Sequence, residues 1–378
     1  MKVYLDNAAT TPMDKNVLDS MLPFMQEFYG NPSSTHDFGR KAKAGIEKAR
    51  KDIAAFLNAS TSEIIFTSGG TEADNMAIHC SIFDLGVKHI ISSTIEHHAV
   101  THPVEHFVKT GHVKVSYINV DQAGRIDLAE LENLLEQNPE KTLVTLMHAN
   151  NEIGTLIDLK GVGEICKKYN AYFHSDTVQT MGHFPLNMKE LNVHFATGAA
   201  HKFHGPKGVG FLYLNKEVKI KALINGGSQE RNLRGGTENL YGIVGLGKAL
   251  ELACSEMENH RQHIESLRNY LKQNLIESIP DVQFNGCQEN YLYTVLSASF
   301  PKTENASMLL FLLDIDGIAV SSGSACTSGS NTGSHVLRGI GSDSERTCVR
   351  FSFSKHNTFE ELDYVLEKLK IHLAMVNV

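Results

Sequence analysis

A chain of 378 residues is too long for one simple core and predicts two lobes. Its 42% hydrophobic and 21% charged residues are those of an ordinary globular protein, and a net charge of −8 argues against a nucleic-acid partner, which needs a basic excess. The longest apolar run, residues 308–313, stops at Asp314, well short of the about 20 residues that span a membrane. The opening MKVYLDNAATTP lacks the apolar stretch of a signal peptide. The six cysteines form no CxxC pair, so a reducing, cytoplasmic setting is expected, with Cys80, Cys166 and Cys254 in the core.

In chain order, residues 63–66 read as a strand and 72–83 as a helix. Strands are predicted at 88–92, 113–118 and 143–147, a helix at 159–169, and strands at 171–174 and 209–214. Strand–helix alternation implies right-handed crossovers and a mainly parallel sheet with helices on both faces. The pattern changes near residue 255. A long amphipathic helix is predicted over 256–275, strands at 295–300 and 349–353, and a closing helix at 359–373. The organisation predicted is a large domain, 16–255, and a small α+β domain made of 1–15 and 256–378 that carries the loop 321–334. Of the 14 residues in that loop, 11 are Ser, Gly or Thr, a composition that favours motion.

Lys202, in FATGAAHKFHGPKG, follows Asp176 in HSDTVQ. A lysine amine that forms a Schiff base with an aldehyde, and a buried aspartate that keeps a pyridinium nitrogen protonated, are the requirements of a pyridoxal phosphate enzyme. Gly69-Gly70-Thr71, between a strand and a helix, is a plausible phosphate cradle, although such turns are often only helix caps. His97 falls at the carboxyl edge of the sheet, where an imidazole stacks on a flat ring or moves protons. His98, His102 and His106 share i, i+4 spacing, but no ligand set completes a metal site, and no metal is expected. Asn151 is read as a contact to cofactor or substrate, or as a turn residue. Gln179 is placed to donate to the ring oxygen. The glycine-rich stretch 226–237, with Arg231 and Arg234, reads as a loop that reaches an anion, or as a flexible surface loop. Arg350 lies in an apolar strand and suits bidentate binding of an α-carboxylate or a structural ion pair. Cys326, among small residues, suits a mobile thiolate nucleophile, or is incidental to a disordered loop.

The joint occurrence of YLDNAATTP, GNPSSTH, FTSGGTEADN, NNEIG, AHKFHGPKG, RGGTEN and SSGSAC resembles the cysteine desulfurases of the class V aminotransferase group, over nearly the whole chain. SSGSACTS resembles the first group of these enzymes, the nitrogenase and iron–sulfur-cluster type. The resemblance implies fold type I of the pyridoxal phosphate transferases, with a seven-stranded sheet in the large domain. It implies conversion of L-cysteine to L-alanine with a persulfide on Cys326. It assigns Lys202 to the Schiff base, Asp176 to the pyridinium and His97 to stacking and acid–base work. Gln179 and Asn151 would contact ring and substrate, Gly70, Thr71 and His201 the phosphate, and Arg350 the substrate carboxylate. Thr237 would reach the phosphate from the neighbouring subunit of a homodimer. The sulfur would pass to an acceptor protein for iron–sulfur cluster assembly or tRNA thiolation. One departure stands out: the family's phosphate-binding Ser or Thr, three residues before the lysine, is Ala199 here. One charged hydrogen bond is lost, about 1.5–3 kcal/mol, unless Thr197 or water substitutes. A selenocysteine lyase, a same-fold aminotransferase and a non-catalytic scaffold remain as alternatives.

Overall fold

The computed structural model describes residues 1–303, 306–322 and 333–373. Its central sheet has seven strands in the order Ile64–Thr67, Gly210–Leu214, Phe195–Ala199, Tyr172–Asp176, Thr142–Thr145, His89–Ser93 and Lys114–Ile118. The last five run parallel, and Gly210–Leu214 is antiparallel to both neighbours. This is the α/β, mainly parallel sheet expected of fold type I.

Alternation along each strand feeds two cores. Ile64 and Phe66 pack with Phe173, Ala196 and Phe211 beneath the helices Lys15–Gln26, Asp37–Phe56 and Leu240–Ser255. Ile65, Phe195 and Leu212 face the helix Gly70–Phe83 on the other side. A period of two thus covers both faces of one sheet.

A separate core joins the helices Met257–Ser278 and Phe359–Leu373 to an antiparallel sheet of Gln283–Asn285, Val295–Phe300 and Thr347–Ser352. The N-terminal strand Val3–Tyr4 pairs in parallel with Ile318–Ala319, and Val3 and Leu5 enter this second core.

Several boundaries differ from the sequence reading. The strand predicted at 171–174 is Tyr172–Asp176, so Asp176 is its last ladder residue. The strand predicted at 143–147 is Thr142–Thr145, because Leu146 onward turns toward the sheet edge. The helix predicted from residue 72 starts two residues earlier, at Gly70, a position that suits glycine because a Cβ would lie 2.9 Å from Val178 Cγ2. Cys80 and Cys166 are buried, with thiols pushed up by burial, to about 12 for Cys80. Cys254 is only half-buried, on the last turn of its helix. Among the described residues no helix is long and apolar enough to cross a membrane.

Candidate active site

Four parallel strands end on one edge of the sheet, and the chain that leaves each end supplies a side chain to one cavity. The cavity holds about 250 Å³. Lys202, Asp176, His97, Gln179, Asn151, His201, Gly70, Thr71 and Arg350 all line it.

Lys202 follows the strand Phe195–Ala199 in a single 3-10 turn. Its ammonium donates to the carbonyls of Ala8 at 2.5 Å and Ala9 at 2.9 Å, and the Gln179 amide donates to Ala8 O at 3.0 Å. The N-terminal segment is therefore one wall of the site. Asp176 is buried and takes the Val178 N–H at 2.9 Å. Burial, then the nearby Asp74 carboxylate, raises its carboxyl to about 6, against the pull of His97.

His97 is the N-cap of the helix His98–Lys109, and its Nδ1 accepts the Ala99 N–H at 3.1 Å. In the neutral ring the hydrogen is thus on Nε2. Burial depresses its basicity, with Lys202 adding to the effect and Asp176 opposing it. His98 and His102 stack at 4.5 Å on the same helix. Among the described residues no three His, Cys, Asp or Glu side chains converge to hold a metal ion.

Arg350 makes the ion pair that its sequence context allowed, and it also lines the cavity. It pairs with Asp6 Oδ1 at 2.8 Å and donates to Asn151 O at 2.9 Å, yet its Nε is buried without a hydrogen-bond partner among the described residues. Ser321 also donates to Asp6 Oδ1, at 3.0 Å, at the start of the loop that carries Cys326. Cys326 itself lies outside the described residues.

A second cavity opens beside the first, at the N-terminus of the helix Gly70–Phe83, and is lined by Thr10, Ser68, Gly70, Thr71, His201 and Lys207. Free N–H groups at that helix start, with Lys207 beside them, suit an anion. His201 meets Thr10 Oγ1 at 3.2 Å, and burial, then Lys202 and Lys207, lowers its basicity to about 4. Ala199 is buried on the strand behind. Thr197 does not replace the missing hydroxyl: its Oγ1 is 3.3 Å from His174 Nε2 and bonds to the Asp74 carboxyl.

Thr237 is not in the central cavity. It is exposed and borders a separate hollow with Arg234, Ser68 and Gly208. The glycine-rich loop is held down by its own charges. Arg234 grips Glu72 at 2.9 and 3.2 Å, and Glu230 grips Arg50.

Several site residues escaped the sequence reading. Asp74, in the apolar helix Gly70–Phe83, is 1% exposed and is raised to about 7 by burial. Its Oδ1 lies 3.3 Å from His174 Nε2 and has no hydrogen bond among the described residues. An acid amid ADNMAIHC was the available signal. Glu152 and His335 also line the cavity, and Glu152 accepts Ser334 Oγ at 2.5 Å. Buried Glu96 is raised to about 8 by desolvation, with Asp176 adding to it.

A family model for the class-V aminotransferases matches residues 3–365. The chain belongs to this family, among its cysteine desulfurases. The cysteine desulfurase IscS of Dictyoglomus turgidum is 47% identical over 373 residues, covering 98% of this chain and 94% of that protein. A NifS-like protein of known structure superposes with a TM-score of 0.91 at 41% identity, covering 99% of this chain and all of its own. SspA, solved in complex with cysteine, superposes at 0.82 with 32% identity over 94% of this chain and all of its own. Class-V aminotransferases and cysteine desulfurases depend, as a class, on pyridoxal phosphate.

Proposed function

We propose that this chain binds pyridoxal phosphate, converts L-cysteine to L-alanine, and leaves the sulfur as a persulfide on Cys326. The observation that carries the reading is the convergence of Lys202, Asp176 and Arg350 on one cavity. The cavity's chemistry fits the cofactor. Asp176 is a desolvated carboxylate whose cost a pyridinium N–H would relieve. The helix start at Gly70 and Thr71, with His201 and Lys207, fits a phosphate. Thr237 of a second copy is assigned to the same phosphate, in a homodimer.

When bound, the cofactor supplies an aldehyde for amines and a ring that accepts an electron pair. The residues do the rest. Asp176 holds the proton at the ring nitrogen. His97 would stack on the ring and, from Nε2, move protons, while Gln179 and Asn151 would orient ring and substrate. The Lys202 amine takes and returns the Cα proton. Arg350 binds the substrate carboxylate through donors that Asp6 and the Asn151 carbonyl leave open. The Cys326 thiolate attacks the substrate sulfur, the S–S bond forms, and the C–S bond breaks with its electron pair left on carbon. That carbon is protonated, so cysteine plus Cys326 thiol becomes alanine plus Cys326 persulfide. The sulfur passes to an acceptor protein in the cytoplasm, for iron–sulfur cluster assembly or tRNA thiolation. We assign 16–255 to a large cofactor-binding domain, and 1–15 with 256–378 to a small domain.

The test compares wild type with Cys326→Ala, both loaded with cofactor, reading alanine release and protein-bound persulfide. Wild type should give both and the variant neither, with the same cofactor absorbance. Alanine release by the variant at the wild-type rate, or a protein that stays colourless with added cofactor, overturns the reading.

A further inference from the structure

His335 opens the short helix His335–Gly339, just after the loop that carries Cys326, and lines the central cavity. Its Nε2 is 2.8 Å from the main-chain oxygen of Glu96. That oxygen can only accept, so Nε2 carries the ring hydrogen. In the neutral ring, Nδ1 is then a bare lone pair. This atom is buried and has no hydrogen-bond partner among the described residues. The ring is fixed by its neighbours: its centroid is 4.4 Å from that of His98, and the adjacent Ser334 is bonded to buried Glu152. His335 therefore brings a fixed acceptor without a hydrogen bond to the wall of the cavity.

The substrate of the proposed activity has three polar groups. Its amine goes to the Lys202 end and its carboxylate to Arg350. The thiol is left. Two buried acceptors on cavity residues have no hydrogen bond among the described residues, Asp74 Oδ1 and His335 Nδ1. Asp74 Oδ1 lies 3.3 Å from His174 Nε2, which leaves Nδ1 of His335. We infer that His335 is a substrate-binding residue that accepts the S–H of L-cysteine on Nδ1, an inference that rests on the desulfurase reading. The contact holds the sulfur as a neutral thiol, the form a thiolate nucleophile can attack without meeting a like charge. It also sets specificity. A free thiol is mostly protonated at neutral pH. A selenol is more acidic and ionised there, so it has no hydrogen to offer and meets a lone pair instead. The site should favour cysteine over selenocysteine.

The experiment uses the cofactor-loaded full chain and two variants. His335→Gln keeps a donor near the Nε2 position and removes the acceptor at Nδ1. His335→Asn keeps an acceptor near Nδ1. The readouts are kcat/KM for L-cysteine and L-selenocysteine, and the dissociation constant of L-alanine, which has no thiol. In His335→Gln, kcat/KM for cysteine should fall ~10-fold, as expected for one hydrogen bond. Alanine affinity should hold within about twofold, and the selenocysteine-to-cysteine ratio should rise. His335→Asn should recover most of the loss. Equal losses for alanine and cysteine, no loss at all, or an Asn variant no better than Gln overturns the assignment. A wild type that releases no alanine from cysteine sinks the desulfurase reading itself. A wild type that does, matched by His335→Gln, sinks only the role of His335.

Discussion

Two arginines are almost equally buried, and they differ in what is left over. Arg50 is 3% exposed and meets both oxygens of Glu230, at 2.8 and 2.9 Å, the carbonyl of Ile64 at 2.7 Å and Glu47 at 3.2 Å. Its guanidinium also lies over the Phe66 ring. Arg350 is 2% exposed and has one carboxylate oxygen, one carbonyl and an unpartnered Nε. The first is finished by its own chain. The second is finished only in part, and it lines a cavity. An ion pair with every nitrogen engaged reads as structural, whereas one with a nitrogen to spare beside a cavity fits the binding role proposed for it.

The largest effect should come from the finished pair. Arg50→Met leaves Glu230 buried without its cation and should cost about 3–5 kcal/mol in denaturant unfolding, with the catalytic constants of folded protein little changed. Adding Glu230→Leu should recover much of that loss, because no lone charge remains. Persistent loss in the double variant would show that the pair does more than neutralise itself. Asp176 is the anionic counterpart of Arg350. Its folded carboxyl, at about 6 against an ordinary 3.8, disfavours the charged form, so the cofactor-free fold loses stability as pH rises from about 4 to 6. That shift of about two units corresponds to at most ~3 kcal/mol. Cofactor-free Asp176→Asn should therefore melt higher than wild type at pH 7.5, with the gain shrinking toward pH 4. A variant no more stable at pH 7.5 would mean that water already solvates the carboxylate. Arg350→Lys keeps the charge but loses the fork, and should lower kcat/KM for L-cysteine ~100-fold with near-normal melting. A large stability loss instead would place Arg350 with Arg50. Ser321→Ala removes one bond to Asp6 and should raise KM by about two- to tenfold.

The sheet was legible because its strands are short, buried apolar runs between turn signals, as in Glu63 to Phe66 and Val295 to Phe300. The helices Lys15–Gln26 and Asp37–Phe56 were not singled out. The first contains Pro23, and the second buries a stripe of Gly39, Ala42, Gly45 and Ala49, small residues that barely mark an apolar face. Of the site, the residues inside recurring motifs were readable, since Lys202, Asp176, His97 and Arg350 are unusual in their local context. Asp74, Glu152 and His335 were not. Their distinction is a buried atom with a missing or shared partner, which depends on neighbours distant in sequence. The exchange of Thr197 for the absent hydroxyl at Ala199 failed for the same reason, because Thr197 is already engaged by His174.

The carbonyls of Ala8 and Ala9 that hold Lys202 belong to a segment whose strand pairs with Ile318–Ala319 and whose Asn7 reaches Ser352. This segment must therefore wait for residues as many as 345 positions later in the chain before it finds its place. At about 5–20 residues per second, that interval is on the order of tens of seconds. Through it the large sheet can form with its catalytic edge open, so the order of synthesis makes closing of this wall a late event in the birth of the enzyme.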